Sequence, residues 1–332
     1  MSDPIWLTEQ HVVDLMSLPQ AIDALRSGLR QEAAGKATNM VKTHAVWDGH
    51  STLHAIGAVL EGQGVVGTKT WAHTPGGAMP LLILIDANDG AVLAIIEAFA
   101  LGQMRTGGIS GLATDVMAKA DAKRMAMIGA GKQSLTQIAA VNAVRPLERL
   151  TVWSPTAANR EALARAAHEA LGIDAVATAT LEEAIGGAEI ATVATRATAP
   201  FLTRDMLARH THLNAVGAIL PGRVEFTTDL FERATVIAAD SVPQVRKHSH
   251  EFMDAFGTDE TAWQRVHPLS ELVAADARRP ADADLTVFKA MGMGIGDLAL
   301  GARLLDSARE AGVGRPIPRP TRAKPRLTDI RL

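Results

Sequence analysis

Three cationic side chains in the first third of the sequence have the properties needed to bind a carboxylate. Lys69 interrupts an otherwise apolar segment, Val65–Trp71, and Lys42 and Arg105 stand on either side of that segment. The planar guanidinium of Arg105 suits a carboxylate, and burial would lower the pKa of the Lys69 ammonium towards neutrality. We predict that Arg105, Lys42 and Lys69 bind an acidic substrate or, for Lys69, pass a proton. The alternatives are a structural pair between Arg105 and an acid such as Glu97, and a Lys69 ammonium that reaches solvent.

Histidines are the next candidates, because an imidazole can donate or accept a proton near neutral pH. His44, His54 and His73 lie in one stretch of predicted strands, and His54 is our preferred catalytic residue in a variable part of the pocket. Their spacing matches no metal-ligand motif, so no metal site is predicted. Each is alternatively a structural histidine. His248 and His250 are interpreted as a solvated surface run.

A glycine-rich turn follows a short apolar strand and precedes a helix. Gly129 allows a tight exit from the strand, Gly131 lets the backbone approach a pyrophosphate, and the small Ser134 lets helix and strand pack closely. The N–H groups at the start of the helix then face the phosphates. The turn therefore predicts dinucleotide binding rather than a bare structural turn. The predicted cofactor contacts are Gly129, Ala130, Gly131, Lys132, Gln133, Ser154, Thr156, Arg160, Thr195 and Val216.

The end of the second strand of this unit indicates which dinucleotide is bound. NAD-specific sheets usually carry an acid there, which accepts hydrogen bonds from the ribose. Here the strand is followed by Ser154, Pro155 and Thr156, and Arg160 lies soon after. These groups offer donors and positive charge for a 2′-phosphate. We therefore predict a preference for NADP(H), with NAD(H) possible, unless Arg160 is simply a solvated helix residue.

The elements that must position these residues follow two patterns, a meander of strands and then a regular alternation of strands and helices. Such alternation is typical of a doubly wound parallel sheet, and the predicted fold class is α/β. The predicted segments are a helix at 7–34 with Thr8 as its N-cap, strands at 41–46, 57–60, 65–71, 81–86 and 91–96, a helix at 101–120, strands at 124–128, 150–153, 175–177, 190–194, 212–216 and 235–239, helices at 134–144 and 157–171, and a last helix at 296–311. The proline-rich tail, 315–325, is interpreted as a surface strap or a disordered end.

Length and composition narrow the class of protein. A chain of 332 residues with 47% hydrophobic residues has room for about two domains. Its formal charge of −3 gives no basic footprint for nucleic acid or an anionic membrane. The absence of Cys excludes disulfides and thiolate chemistry. Neither a signal peptide nor a spanning segment is apparent, so a cytoplasmic protein is expected.

Several short motifs, in this order and spacing, resemble the ornithine cyclodeaminase/mu-crystallin family. The motifs are Gly67-Thr68-Lys69, the segment from Asp86 to Ala94, Met104-Arg105-Thr106, Gly129-Ala130-Gly131-Lys132-Gln133, Asn214-Ala215-Val216-Gly217, Asp240-Ser241 and Val287-Phe288-Lys289-Ala290-Met291-Gly292. The resemblance implies a homodimer in which a Rossmann domain, residues 119–296, is inserted into an α/β dimerisation and substrate domain made of residues 1–118 and 297–332. It implies an active site that includes Lys69 and Arg105.

Departures from the family pattern narrow the expected reaction. Ile219 stands where the cyclodeaminases carry a catalytic aspartate, and an aliphatic side chain cannot transfer a proton. Lys42 stands where many members carry an arginine, and His54 where many carry a proline. We therefore expect NAD(P)H-dependent reduction of a small 2-imino carboxylate to an amino acid, or the reverse dehydrogenation. The alternatives are an ornithine cyclodeaminase-type ammonia lyase and a non-catalytic, NADP-dependent binding protein.

Overall fold

The computed structural model describes residues 3–327, so the first two and last five residues of the domain predicted at 1–118 and 297–332 lie outside the described residues. Within that range the strands are β1 (Ile5–Leu7), β2 (Ala37–Asn39), β3 (Thr43–Trp47), β4 (Ser51–Leu60), β5 (Val65–Thr74), β6 (Gly77–Ala78), β7 (Leu81–Asp86), β8 (Val92–Glu97), β9 (Arg124–Ile128), β10 (Arg149–Trp153), β11 (Asp174–Ala177), β12 (Ile190–Val193), β13 (His212–Ala215), β14 (Ala234–Ala239), β15 (Val266–Pro268), β16 (Leu285–Lys289) and β17 (Arg315–Pro316).

The α-helices of the same range are α1 (Glu9–Leu15), α2 (Leu18–Ala33), α3 (Phe99–Met117), α4 (Ser134–Val144), α5 (Ala157–Leu171), α6 (Leu181–Ile185), α7 (Leu230–Arg233), α8 (Val242–His248), α9 (His250–Phe256), α10 (Glu260–Trp263), α11 (Leu269–Ala274) and α12 (Gly294–Ala311). Two single-turn 3₁₀ helices occur at Glu61–Gln63 and Arg204–Met206. None of these helices, within residues 3–327, is both long enough and apolar enough to cross a membrane.

The second half of the chain forms the predicted doubly wound parallel sheet. Within residues 3–327 it has eight strands in the order β11-β10-β9-β12-β13-β16-β14-β15, and every neighbouring pair is parallel. The strand order reverses between β9 and β12, which is where ligands bind in open α/β sheets. The segments that follow β9, β10, β12, β13, β14 and β16 therefore meet at one edge of this sheet.

The strand meander forms a second, mixed sheet, in which β1, β8, β7, β5, β4 and β2 follow one another. Helices α2, α3 and α12 pack with it around one apolar core. The last helix of the chain therefore packs with elements of the N-terminal half. Strand β17 pairs antiparallel with β1, so the proline-rich tail begins as a short strand that ties the C-terminal region to the N-terminal region.

The helix predicted at 7–34 is wrong as a single element. The chain leaves the helical conformation at Met16, and Ser17 begins a new helix by accepting a hydrogen bond from the N–H of Gln20. Pro19 lies in the first turn of the new helix. Backbone N–H groups in a first turn have no acceptor within the helix, so the N–H that proline lacks is not missed there. Thr8 caps the first helix as predicted, by accepting a hydrogen bond from the N–H of His11.

A buried polar network links the parallel sheet to α3. His212 is fully buried, with Nδ1 2.9 Å from Thr286 Oγ1 and Nε2 3.1 Å from Asn214 Oδ1. The amide of Asn214 donates in turn to Thr114 Oγ1 in α3 at 3.0 Å. Burial lowers the pKa of His212 to about 3. The imidazole is therefore neutral in the folded protein across the physiological range.

This network predicts a loss of stability in mild acid. Below the ordinary histidine pKa of 6.5 this imidazole is protonated in the unfolded chain but stays neutral in the folded protein. The free energy of unfolding therefore decreases as the pH drops towards 3. Between pH 7 and pH 5 the loss is about 2 kcal/mol from this residue. Denaturant titrations at both pH values should show a smaller loss in His212→Gln than in wild type.

The matched control is His50→Gln, which removes an exposed imidazole in a turn and should keep the wild-type pH dependence. An identical pH dependence in wild type and His212→Gln would show that the buried imidazole does not destabilise the fold in acid.

Candidate active site

One buried carboxylate brings together two of the predicted cations. The Nζ of Lys69 makes a short hydrogen bond and ion pair with Asp297 Oδ1, and Arg105 Nε lies 3.5 Å from the same oxygen. Lys69 is 4% exposed and Asp297 is fully buried. The second carboxylate oxygen, Asp297 Oδ2, is buried without a hydrogen-bond partner among residues 3–327. The structural pair between Arg105 and Glu97 is therefore wrong, because Glu97 accepts hydrogen bonds from Trp6 Nε1 and the N–H of Glu9.

Three elements that pack around the core of the mixed sheet position this cluster. Lys69 lies in the middle of β5, where it pairs with Ile56 of β4 on one side and Leu82 of β7 on the other. Arg105 lies in α3, and Asp297 lies in the first turn of α12. A helix N-terminus favours a carboxylate, because its N–H dipoles point towards it. The sheet contributes one cation, α3 the other, and α12 the anion between them.

Burial and charge set the protonation of these groups. Burial alone would raise the pKa of Asp297, but the cationic Lys69 and Arg105 lower it below the usual range, so the carboxylate is ionised. Burial lowers the pKa of Lys69, an effect that Asp297 opposes and Arg105 reinforces. The Trp71 ring, 5.5 Å from Nζ, gives the ammonium a further favourable contact. Lys69 is thus a buried cation with a lowered pKa and one strong partner.

The cluster lies against the ligand-binding edge of the parallel sheet. An ideal Cβ built on Gly292, in the loop after β16, would be 3.2 Å from the Arg105 Nη1 atom. That loop is fixed by Asp240, whose carboxylate accepts hydrogen bonds from the N–H groups of Met291 and Gly292, each at 2.8 Å. Burial raises the pKa of Asp240, and nearby Arg105 opposes this rise. Arg105 therefore lies between the mixed-sheet half of the fold and the loop after β16 of the parallel sheet.

His54 and His44 lie beside this cluster, in a row of stacked rings that begins at Trp71. The ring of His54 stacks between those of Trp71, with centroids 4.8 Å apart, and His44, with centroids 5.8 Å apart. Its Nε2 lies 2.8 Å from Thr52 Oγ1, and its buried Nδ1 has no hydrogen-bond partner in the described part of the chain. Burial, reinforced by Lys42, lowers the pKa of His54, which is therefore neutral at pH 7. His54 can hydrogen-bond a substrate but is not a cation there.

Lys42 and His248 are two further titratable groups of this region. Burial lowers the pKa of Lys42, and the positive charge of Arg105 lowers it further. His248 was predicted as a solvated residue, but it is half-buried, and its pKa is lowered by burial and by Lys247, Lys42 and His44. His250, in contrast, is exposed as predicted.

The glycine turn has the geometry required to hold a pyrophosphate. Gly129 adopts a φ of 110°, and a Cβ there would lie 2.5 Å from the Ala194 carbonyl oxygen, so another residue would not fit. Ser134 Oγ donates to the Gly129 carbonyl and accepts from the N–H of Gly131. The space above Gly131 is open. Gln133 Oε1 is buried without a partner among the described residues, which leaves a polar atom for a ligand.

The other predicted cofactor residues lie along the same edge. Arg160 donates from Nη1 to the Ser154 carbonyl at 2.9 Å, and Ser154 Oγ donates to the Thr156 carbonyl at 3.1 Å. The guanidinium is thereby held at the end of β10. Thr195 follows β12, and Val216, which follows β13, is 8% exposed and packs into the core. These residues thus follow the carboxyl ends of β10, β12 and β13.

Two acids of this region were missed by the sequence analysis as functional residues. Asp297 was not recognised, although an acid in the first turn of an apolar helix is a signal for a special role. Glu225, in the loop between β13 and β14, accepts three backbone hydrogen bonds and carried no motif. Within residues 3–327 no group of three or more His, Asp or Glu side chains is arranged to hold a metal ion.

Known proteins share this architecture along nearly its whole length. A Delta(1)-pyrroline-2-carboxylate reductase of Bacillus cereus is 29% identical over 239 residues, which cover 71% of this chain and 73% of that protein. The solved Thermococcus litoralis Delta(1)-pyrroline-2-carboxylate reductase, in complex with NADH and L-proline, matches with a TM-score of 0.87 and 26% identity, covering 94% of this chain and 100% of that one. An archaeal alanine dehydrogenase dimer with bound NAD matches with a TM-score of 0.87 and 25% identity, over 96% and 99%.

The family assignment follows from a match that covers almost the entire described structure. The model of the ornithine cyclodeaminase/mu-crystallin family matches residues 3–312, from the start of the first sheet to the end of α12. That range contains the parallel sheet, the mixed sheet except β17, the Lys69–Asp297–Arg105 cluster and the glycine turn. The chain therefore belongs to the ornithine cyclodeaminase/mu-crystallin family.

Proposed function

We propose that this protein is an NAD(P)H-dependent oxidoreductase that reduces a small 2-imino carboxylate to an amino acid, or catalyses the reverse dehydrogenation. One observation carries the proposal: Lys69 and Arg105 converge on Asp297 beside the edge of the sheet that bears the glycine turn. The names of the relatives, pyrroline-2-carboxylate reductase and alanine dehydrogenase, support the same chemistry.

Arg105 is the proposed anchor for the substrate carboxylate. Within residues 3–327 its hydrogen bonding is limited to the 3.5 Å contact from Nε, which leaves both terminal nitrogens available to a ligand. Its side chain is 16% exposed, so a carboxylate placed there is largely shielded from water. Shielding strengthens a charge-assisted, two-pronged hydrogen bond. Lys42 adds positive charge from the neighbouring strand region.

Lys69 is the proposed group that controls the proton at the imine nitrogen. A protonated imine accepts hydride far more readily than the free base, so a proton must be kept at that nitrogen. Lys69 has a lowered pKa and a fixed position, and Asp297 keeps it from swinging out of the site. When bound, a reduced nicotinamide supplies the hydride. Neutral His54, with its unpartnered Nδ1, is proposed to contact the variable part of the substrate.

NADP(H) is the proposed preferred cofactor, although the two solved relatives contain NADH and NAD. No acid follows β10, and the Arg160 guanidinium is held at that strand end by its hydrogen bond to the Ser154 carbonyl. A 2′-phosphate placed there would meet a preoriented cation, whereas a ribose hydroxyl would lack the usual acidic partner.

Ile219 argues against an ammonia lyase. It occupies the loop after β13 and is 38% exposed, so that an apolar side chain stands at the surface where the lyases carry an acid. Without that acid the chain lacks the group expected to deprotonate an amine or activate water.

A homodimer is the proposed assembly. The sheet face opposite α12 carries partly exposed apolar side chains, among them Val66, Ile83, Ile85 and Ile95, which are adjacent in the strand register. The buried face, with Leu82 and Leu84, already packs against α12. A continuous apolar face of this kind is covered by a second subunit in many two-fold dimers.

Replacement of Arg105 tests the reaction and its anchor. Arg105→Ala should reduce kcat/KM for pyrroline-2-carboxylate, or for another 2-imino acid that wild type accepts, by more than tenfold, because a lost charge-assisted pair exceeds about 1.4 kcal/mol. The measurement is NAD(P)H consumption at varied substrate. Arg105→Lys, which keeps the charge without the fork, should retain part of the activity.

Cofactor affinity measured by fluorescence serves as the folding control for these variants. Turnover at the wild-type rate by Arg105→Ala would show that Arg105 does not bind the substrate. Conversion of ornithine to proline and ammonia by the wild-type protein would show that the protein is a lyase and not a reductase.

Replacement of Arg160 tests the cofactor preference. Wild type should use NADPH at least tenfold more efficiently than NADH, since each charge-assisted contact contributes about 1.5–3 kcal/mol. Arg160→Ala should lose most of this preference, and Arg165→Ala, at an exposed position of the same helix, should keep it. Equal use of both cofactors by wild type would contradict the assignment.

An acidic substitution on the apolar sheet face tests the dimer. Light scattering at micromolar concentration should give wild type twice the mass of one chain, and Ile83→Asp should give a folded monomer, because a buried unpaired carboxylate is costly. Val13→Asp, at an exposed position of α1, is the control and should remain dimeric. A monomeric wild type would disprove the proposed assembly.

A further inference from the structure

One fully buried carboxylate holds together two loops at the ligand-binding edge of the parallel sheet. Glu225 Oε1 accepts a hydrogen bond from the N–H of Thr195 at 2.6 Å, and its Oε2 accepts from the N–H groups of Gly217 and Ala218 at 2.9 and 3.0 Å. Thr195 follows β12, and Gly217 and Ala218 follow β13. A single side chain therefore sets the distance between two neighbouring loops.

The packing around this carboxylate has no spare room. A Cβ built on Gly217 would lie 2.3 Å from Glu225 Oε1 and 2.3 Å from the Thr195 backbone nitrogen. The Thr195 side chain also lies beside the glycine turn, since a Cβ on Gly129 would lie 3.4 Å from Thr195 Cγ2. A shift of Glu225 would therefore displace both loops.

A buried lysine and a second buried acid lie near Glu225. Lys289 Nζ lies 3.7 Å from Glu251 Oε2 and makes no hydrogen bond within residues 3–327. Glu251 Oε1 accepts a hydrogen bond from the N–H of Glu225 at 3.0 Å. Burial raises the pKa of Glu225, while Lys289 and the three N–H donors oppose that rise. The donors fit an ionised carboxylate, since each of them needs an acceptor and a protonated oxygen would be a donor.

The loops held by Glu225 lie where the nicotinamide half of a dinucleotide would be. The glycine turn and the end of β10 serve the pyrophosphate and the adenosine, and the cofactor crosses the switch point between β9 and β12 towards β13. Thr195 and Gly217 begin the loops after β12 and β13, on the far side of that point. Glu225 itself is fully buried and does not reach the ligand surface.

We propose that Glu225 is a positioning residue that fixes the loops after β12 and β13 against the nicotinamide half of the cofactor. This inference rests on the proposed function. It predicts that the contacts to the nicotinamide half of the cofactor depend on Glu225, whereas the contacts to the adenosine half do not.

The experiment compares binding of the whole cofactor with binding of a fragment that lacks nicotinamide. In Glu225→Gln an amide NH₂ replaces one acceptor oxygen and faces a backbone N–H, so that one loop is released. We expect the Kd of the preferred reduced cofactor to rise at least tenfold and kcat to fall at least tenfold. The Kd of ADP-ribose, or of its 2′-phosphate if NADPH is preferred, should change less than twofold.

Glu189→Gln is the matched control. Glu189 also accepts backbone hydrogen bonds, from the N–H groups of Lys123 and Arg124 at 2.9 and 3.1 Å, but at the opposite edge of the sheet. This variant should keep both affinities at the wild-type level. If Glu225→Gln does not fold, Glu225→Asp, which keeps the charge but shortens its reach, provides the same comparison.

The outcomes separate this inference from the function on which it rests. A wild-type protein that binds neither NADPH nor NADH would overturn the proposed function and the inference together. Wild-type binding with an unchanged cofactor Kd and kcat in Glu225→Gln would overturn the inference alone. Equal weakening of cofactor and fragment would also overturn it, because Glu225 would then support the whole sheet rather than the nicotinamide half.

Discussion

The arrangement of the active site depends on the ion pair between Lys69 and Asp297. A buried ammonium is costly to desolvate unless a carboxylate lies next to it, and here the carboxylate comes from the first turn of the last long helix. Because Arg105 approaches the same oxygen, the pair also fixes the guanidinium that faces the parallel sheet. If the pair were removed, the sheet, α3 and α12 would still share their apolar core but would lose the ionic contact that joins all three.

Two different parts of the fold supply the two halves of the proposed chemistry. The mixed sheet with α3 and α12 holds cations for a carboxylate, and the parallel sheet holds a glycine turn for a dinucleotide. They meet where Asp240 fixes the loop that touches Arg105. Asp240 and Glu225 have similar roles in different loops. Each is a buried carboxylate that accepts hydrogen bonds from two or more backbone N–H groups and so fixes the position of a loop.

The predictions that succeeded rest on local patterns. The glycine turn, the alternation around it and the capping Thr8 are properties of neighbouring residues, and the structure has all of them. The break at Ser17 was missed because apolar periodicity continues across it, while the signal was a capping residue followed by Pro19. Periodicity reports which face is buried, but it does not report where the backbone changes direction.

The predictions that failed concern partners distant in the sequence. Lys69 and Arg105 were singled out by residue type and by resemblance, but Asp297 was not foreseen, and the acid named in the alternative for Arg105 was Glu97. The half-buried position of His248 depends on tertiary packing, which the neighbouring residues in the sequence do not reveal. Residue type indicates that a buried charge needs a partner, whereas the choice of partner is decided by tertiary packing. The proposed roles of the site residues remain predictions for the same reason.

The place of α12 in the chain has a consequence for the order of folding during synthesis. Lys69 and Asp297 are 228 positions apart, and β17 pairs with β1 across nearly the full length of the chain. The parallel sheet is complete in sequence before α12 leaves the ribosome, so it can fold as a unit on the nascent chain. Until α12 is synthesised, Lys69 in the mixed sheet lacks its partner Asp297, and the apolar face that α12 covers stays exposed. In that interval the N-terminal half is the part of the nascent protein most exposed to chaperones and to aggregation.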